Sequence, residues 1–267
     1  MARAMSLRPM GILEIVDQSF RLYRSNFLVF FGIAAVIYVP MQVVQSIPVV
    51  GAIAVLVYLP LVLIGNAALT KAVSDRYLGE ASSIGAAFRA IWKRFWPLLG
   101  TLLLAYLFVA SGLILLIVGA IVFGFWVAFI SQVFVIEDKR YMAAVWRSRF
   151  LIGKGVWGEL VVLMMIVGIL TGIIQGAVGA IFGVPAYFLG HGEEVVKSPL
   201  VLLAFGLVQS LVLPIGQAAV VMLYYDSRIR KEGFDLEMLA REMGMAPAQP
   251  APAVPAGPTP PDQGQAV

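Results

Sequence analysis

The chain of 267 residues is 61% apolar and only 13% charged, with a mean hydropathy of +0.93. Soluble domains carry about a quarter charged residues, so this composition excludes a water-soluble globule and indicates an integral membrane protein. The net charge is +4, and the absence of cysteine excludes disulfides, thiolate metal sites and cysteine nucleophiles.

Residues 1–24 lack the apolar core of a cleavable signal peptide, and the first long apolar run has spanning length. Asp, Glu, Lys and Arg are absent from 25–70, 95–136, 160–192 and 198–225, gaps of 46, 42, 33 and 28 residues. A helix crossing a hydrocarbon core of about 30 Å needs about 20 apolar residues. The first two gaps therefore hold two spans each and the last two hold one each. The expectation is six transmembrane helices, at about 27–46, 49–70, 96–115, 119–136, 160–182 and 199–224. Pro40, Pro60 and Pro214 fall inside spans and are expected to bend them. Gly168, Gly172 and Gly176 form a small-residue row suited to close helix approach. Residues 1–245 form the membrane domain, and 246–267, rich in Pro and Ala, form a disordered tail.

Every basic residue except Lys197 lies in one of four blocks between the gaps. An even number of spans separates successive blocks, so all four face one side, and the positive-inside rule makes that side cytoplasmic. Both termini then face the cytoplasm from the plasma membrane. Trp92, Trp96, Trp146 and Trp157 sit where an aromatic belt would mark that interface. The lipid bilayer is the first partner, with anionic phospholipid drawn to the basic face. Arg21, Arg24, Arg89, Lys93, Arg147 and Arg149 are the candidate contacts, set against a role as general membrane anchors. Nucleic acid is a poor partner, because no soluble basic domain exists to hold it.

The chain also matches itself. Phe20-Arg21, Phe27 and Gly32 recur as Phe88-Arg89, Phe95 and Gly100, and Trp146-Arg147 with Gly158 keeps the spacing. An amphipathic segment precedes each odd span, clearest in Ile84, Phe88, Ile91, Trp92 and Phe95. Gly65-Asn66-Ala67-Ala68 matches Gly216-Gln217-Ala218-Ala219, each amide followed nine residues later by Asp75 or Asp226, and Ser131-Gln132 precedes Glu137 more loosely. The fold class is thus all-α integral membrane: three parallel hairpin repeats, each preceded by an interfacial helix.

Residues 6–23, Val135-Ile136-Glu137, Arg147-Ser148, Leu151-Ile152-Gly153 and above all the run from Leu223 to Leu236, YYDSRIRKEGFD at its centre, resemble a bacterial family. It is the membrane domain found ahead of some glycerophosphodiester phosphodiesterases, and also as a stand-alone protein. The resemblance covers about residues 6–240 and implies a multi-span helical domain without catalytic residues of its own. The phosphodiesterase chemistry of fused members belongs to a separate soluble domain for which this chain has no room.

No catalytic residue, metal site or cofactor is indicated. His191 with Glu193 and Glu194 does not supply three converging ligands and reads as a solvated loop. Glu137-Asp138 reads as an interfacial pair, with Asp138 capping the following helix, against a paired-carboxylate proton site. Asn66, Gln132 and Gln217 lie at similar depth in the even spans. They form a candidate intramembrane polar cluster, either a structural hydrogen-bond group or a site for a lipid headgroup or solute. A non-catalytic membrane scaffold or accessory subunit, open to a membrane-protein partner, is the first functional expectation. A transporter or lipid-handling protein is the alternative.

Overall fold

The structure is a computed structural model that describes residues 8–44, 48–153, 155–188, 194–195 and 198–242. The loop at His191 and the tail 246–267 lie outside the described residues. Regular structure among the described residues is entirely helical. In chain order it comprises α1 (Ile12–Ser25), α2 (Phe27–Val44), α3 (Pro48–Tyr77), α4 (Ile84–Trp92), α5 (Phe95–Gly112), a 3-10 turn (Leu113–Leu115) and α6 (Leu116–Trp126). There follow α7 (Ile130–Glu137), α8 (Tyr141–Ile152), α9 (Val156–Phe188), α10 (Pro199–Glu232) and α11 (Phe234–Glu242).

Among the described residues, five segments are long and apolar enough to cross a membrane: Phe27–Val44, Phe95–Gly112, Val118–Glu137, Val156–Pro185 and Pro199–Glu232. The protein is a multi-span helical membrane protein. Across the expected second span α3 runs as a single helix of 30 residues; the side chains of residues 48–57 lie outside those described.

Several helices overrun the expected spans: α3 continues past residue 70 to Tyr77, and α9 covers Val156–Phe188 where 160–182 was expected. Helix α10 does not stop at residue 224 but continues to Glu232, making 34 residues. At 1.5 Å per residue it is about 51 Å long, well beyond the hydrocarbon thickness, so its polar end projects out of the membrane. Gly233, at φ 64°, then closes it in the left-handed conformation, its N–H bonded to Ile229 O at 3.0 Å.

The fourth span is broken at Val127–Phe129, where no proline stands. Short-range bonds such as Ile130 N to Val127 O at 2.9 Å replace the regular ladder, and the Phe129 N–H donates to Ser148 Oγ of α8 at 3.1 Å. A side chain inserted from a neighbour is a recognised cause of such breaks. Pro40, Pro60, Pro185 and Pro214 meanwhile sit inside helices that continue through them.

Helices α2–α3, α5–α6 and α9–α10 pack as hairpins, and α10 lies along α2 over its greatest length of contact. A Cβ on Gly206 of α10 would stand 3.0 Å from the Val39 Cα of α2, so glycine sets how closely these backbones meet. Helix α8 bridges the α5–α6 hairpin to α7 and α10. The row Gly168, Gly172 and Gly176 meets nothing within 4 Å, so it serves no helix approach within the described chain.

Burial is concentrated at the end bearing the charge blocks. There Ile15, Tyr77, Phe129, Phe134, Leu151, Tyr224 and Tyr225 form a continuous core. Toward the other end Tyr106, Ile114, Ile173, Ile181 and Phe188 face outward. The distribution follows the solvent: apolar side chains gain by burial where water can reach them and gain little among lipid tails. Helix α11 packs through Phe234 and Met238, whereas Leu236 and Leu239 are exposed.

One consequence is testable. A Cβ on Gly112 would stand 2.7 Å from the Gly119 backbone, where α5 and α6 approach, while one on Gly172 meets open space. Gly112→Ala should cost about 1–3 kcal/mol, and Gly172→Ala should be neutral or stabilising by up to about 1 kcal/mol. Thermal unfolding of the two variants in detergent measures the contrast.

Candidate functional site

The projecting end of α10 is a run of aromatic and charged residues, and almost every one reaches a different helix. Tyr224 OH donates to Glu137 Oε1 at the end of α7 at 2.6 Å, and Tyr225 OH meets Ser74 Oγ of α3 at 2.7 Å. Tyr225 also stacks on Tyr77, ring centroids 5.2 Å apart. Asp226 is fully buried; its Oδ1 accepts the Met10 N–H at 2.7 Å, ahead of α1. Ser227 Oγ donates to Leu151 O at 2.6 Å, and Lys231 Nζ reaches Phe150 O and Leu151 O at 2.7 and 2.8 Å. Those last two contacts satisfy carbonyls that the C-terminus of α8 leaves free.

Two ionic groups complete the hub. Arg230 Nε lies 2.7 Å from Asp226 Oδ2, a close ionic contact, while its other nitrogens reach Glu159 of α9 at 3.0 Å and Met10 O at 2.5 Å. Arg147 of α8 donates to Glu137 Oε2 at 2.7 Å and grips Glu232 with both terminal nitrogens. Arg228 joins the same group through Glu232 at 3.2 Å, its guanidinium 4.2 Å above the Phe234 ring. Burial works against the charge of Arg147, but its hydrogen bonds to Glu232 and Glu137 outweigh it and hold its pKa above the usual arginine value.

These contacts settle several sequence expectations. Asp138 does not cap α8; at φ 52° it closes α7 and pairs with Arg94 and Arg140, each at 3.2 Å. The Tyr141 N–H at the start of α8 finds Thr101 Oγ1 instead, at 3.0 Å. Glu137 is no proton site paired with Asp138, since its oxygens are taken by Tyr224, Arg147 and Lys139. Arg147 belongs to the hub, its guanidinium engaged by Glu137 and Glu232. Arg149 is exposed and stacks over Trp126 at 4.0 Å and Trp146 at 5.2 Å. Arg21, Arg24, Arg89 and Lys93 are exposed and form no ion pair among the described residues.

The three amides do not bond to one another. Tyr38 OH donates to Asn66 Oδ1 at 3.0 Å, and Gln217 Nε2 donates to Thr70 Oγ1 at 2.6 Å. Thr70 also donates to Asn66 O at 2.9 Å and lies 3.4 Å from Ser131 Oγ. Thr70 is thus the meeting point of α3, α7 and α10. Gln132 is buried nearby in sequence, but its Oε1 has no partner. A second polar pair, Gln42 Nε2 to Gln209 Oε1 at 2.9 Å, joins α2 to α10. Thr70 was discoverable four residues after Asn66, on the same helical face; Ser131 and Gln209 carried no signal beyond their polarity.

Among the described residues, no cluster of three or more His, Asp or Glu side chains is placed to hold a metal. No family model matches the chain, and no curated protein or solved structure does either.

Removing Asp226 leaves the buried Met10 N–H without its acceptor, while Arg230, 36% exposed, keeps Glu159, so Asp226→Ala should cost about 1–3 kcal/mol. Arg94→Ala removes an ion pair that is nearly half exposed on both sides and should cost less than about 1 kcal/mol. Chemical unfolding in detergent ranks the two. In the membrane interior, Thr70→Val leaves Gln217 unpaired, a penalty of about 1–3 kcal/mol. The Thr70→Val, Gln217→Leu double variant should lose less than the sum of the singles, as a double-mutant cycle would read.

Proposed function

We propose that this protein is a non-catalytic membrane scaffold or accessory subunit, with six spans in three parallel hairpin repeats and both termini in the cytoplasm of a bacterium. The observation that carries the reading is the hub on α10. Tyr224, Tyr225, Asp226, Ser227, Arg228, Arg230 and Lys231 all engage neighbouring helices, so the polar chemistry of this face goes into holding a shape. What stays free is a presenting surface: unpaired Arg21, Arg24, Arg89 and Lys93, with exposed Trp92, Trp96 and Trp146. Such a surface suits anionic headgroups and the acidic flank of a membrane partner.

Glycine contacts support the repeat. Gly32 in α2 is met by Ile84, the first residue of α4, and Gly100 in α5 by Tyr141, the first residue of α8. In the even spans Gly65 receives Ile37 of its hairpin partner α2, and Gly216 receives Val167 of its partner α9. Gly158 meets nothing comparable, so the third copy departs here. The resemblance to the membrane domain of glycerophosphodiester phosphodiesterases fits the same reading, because the matching motif is the hub.

The alternative, a transporter or lipid-handling protein, draws on one observation. The Gln132 carbonyl is buried without a partner, and an orphaned polar atom in a span is a place where a ligand or water gains a hydrogen bond.

The absence of cysteine permits a direct test of sidedness. In intact cells an impermeant thiol reagent should label His191→Cys and should leave Gly85→Cys and Leu236→Cys unlabelled, the latter two being exposed at the charged end. Labelling of Gly85→Cys from outside would invert the topology. For the role itself, purification from native membranes in mild detergent should recover a membrane protein in fixed ratio. A chain that purifies alone and moves a solute across vesicles would replace the scaffold with the alternative.

A further inference from the structure

Building on the reading of the charged end as a surface at headgroup level, we propose that Lys71, Lys93 and Arg94 form a binding site for a phosphate group, carried by an anionic phospholipid or by a soluble phosphate ester. The site is a recess of about 220 Å3 where the α4–α5 junction crosses α3 and α7. Lys71 enters from α3, Lys93 and Arg94 from the two residues joining α4 to α5, and Ala90, Phe134 and Val135 line the rest.

Charge accounting favours one anion. Lys71 is paired with Asp75, and Arg94 with Asp138 at 3.2 Å. Lys93 makes no ion pair among the described residues, and Arg94 shares Asp138 with Arg140, so the two carboxylates leave at least one positive charge of the recess uncompensated. A phosphodiester supplies one negative charge. The recess holds a phosphate with adjoining ester atoms and leaves acyl chains outside. Its neighbours in sequence, Trp92 and Trp96, are exposed as side chains at headgroup level are.

Two other recesses lie beside interfacial helices, and neither matches this one. That beside α1, about 580 Å3, is more open and includes Asp17, which opposes Arg21 and Arg24. That between α8 and α9, about 400 Å3, has Arg149 as its one cation among the described residues, already stacked on tryptophan.

The test uses the full chain in neutral detergent, titrated with short-chain phosphatidylglycerol and with phosphatidylcholine and read by native mass spectrometry. The expectation is one saturable phosphatidylglycerol that phosphatidylcholine does not match. Lys93→Gln should weaken it about fivefold, the scale of one basic residue at an anionic surface. Arg8→Gln, exposed, paired with Glu14 and outside the recess, should leave it unchanged. Ala90→Phe fills the recess without altering charge and should abolish binding; if that variant does not fold, Lys93→Gln decides.

Displacement by glycerol 3-phosphate would identify the source as a soluble ester, and resistance to it a lipid. Equal weakening by Lys93→Gln and Arg8→Gln, or phosphatidylglycerol binding no tighter than phosphatidylcholine, would overturn the proposal. Sidedness plays no part in detergent. Labelling of Gly85→Cys from outside would therefore undo the topology and leave this titration standing.

Discussion

A single buried carboxylate, Asp226, fixes the geometry on which the rest of the charged end depends. Buried without solvent, it requires partners, and it finds the Met10 N–H and the Arg230 guanidinium. Arg230 in turn reaches Glu159, so one side chain on α10 places the approach to α1 and the start of α9. Its neighbours do the same for α3, α7 and α8 through Tyr225, Tyr224 and Ser227. Each bond is worth only about 1 kcal/mol net. Their specificity comes from the cost of leaving any member unpaired, which exceeds the gain from making it.

The location of this hub follows from the solvent. Helices in lipid gain little from burying apolar surface against one another, and their association relies on close packing and sparse hydrogen bonds. At the bilayer edge water returns, and apolar burial and ionic pairing both regain leverage. The aromatic core of Tyr77, Phe129, Tyr224 and Tyr225 sits there, beneath the ionic groups. In the membrane interior the ties are fewer: Tyr38 to Asn66, Gln217 to Thr70, Gln42 to Gln209, and glycine contacts such as Gly206 against Val39.

The spans were legible because charge is so costly in hydrocarbon that its absence marks them. Five expected segments coincide with apolar helices. Their ends were less legible, since a helix need not stop where the membrane does. Charge at Asp226 ends the apolar run, yet α10 continues for two further turns because Asp226 to Glu232 finds partners on other helices. The break at Val127–Phe129 was invisible for a related reason. Its cause, Ser148, lies nineteen residues away and in another helix. Asn66 and Gln217 were rightly singled out by polarity, but polarity alone does not say which partner a side chain faces. Thr70 and Tyr38 take the bonds that the amides were expected to make with each other.

The basic residues divide along the same line. Arg147 and Arg228 each have a carboxylate within reach, and their side chains are 15% and 13% exposed. Arg89 and Lys93, on and just beyond a short helix lying over α2 and α3, have none and remain exposed. In sequence both kinds are the same feature, arginine or lysine beside an apolar stretch. What separates them is whether α7 and α10 end close enough to present Glu137 and Glu232. Where they do, the cation closes the protein; where they do not, it is left for whatever anion the membrane face supplies.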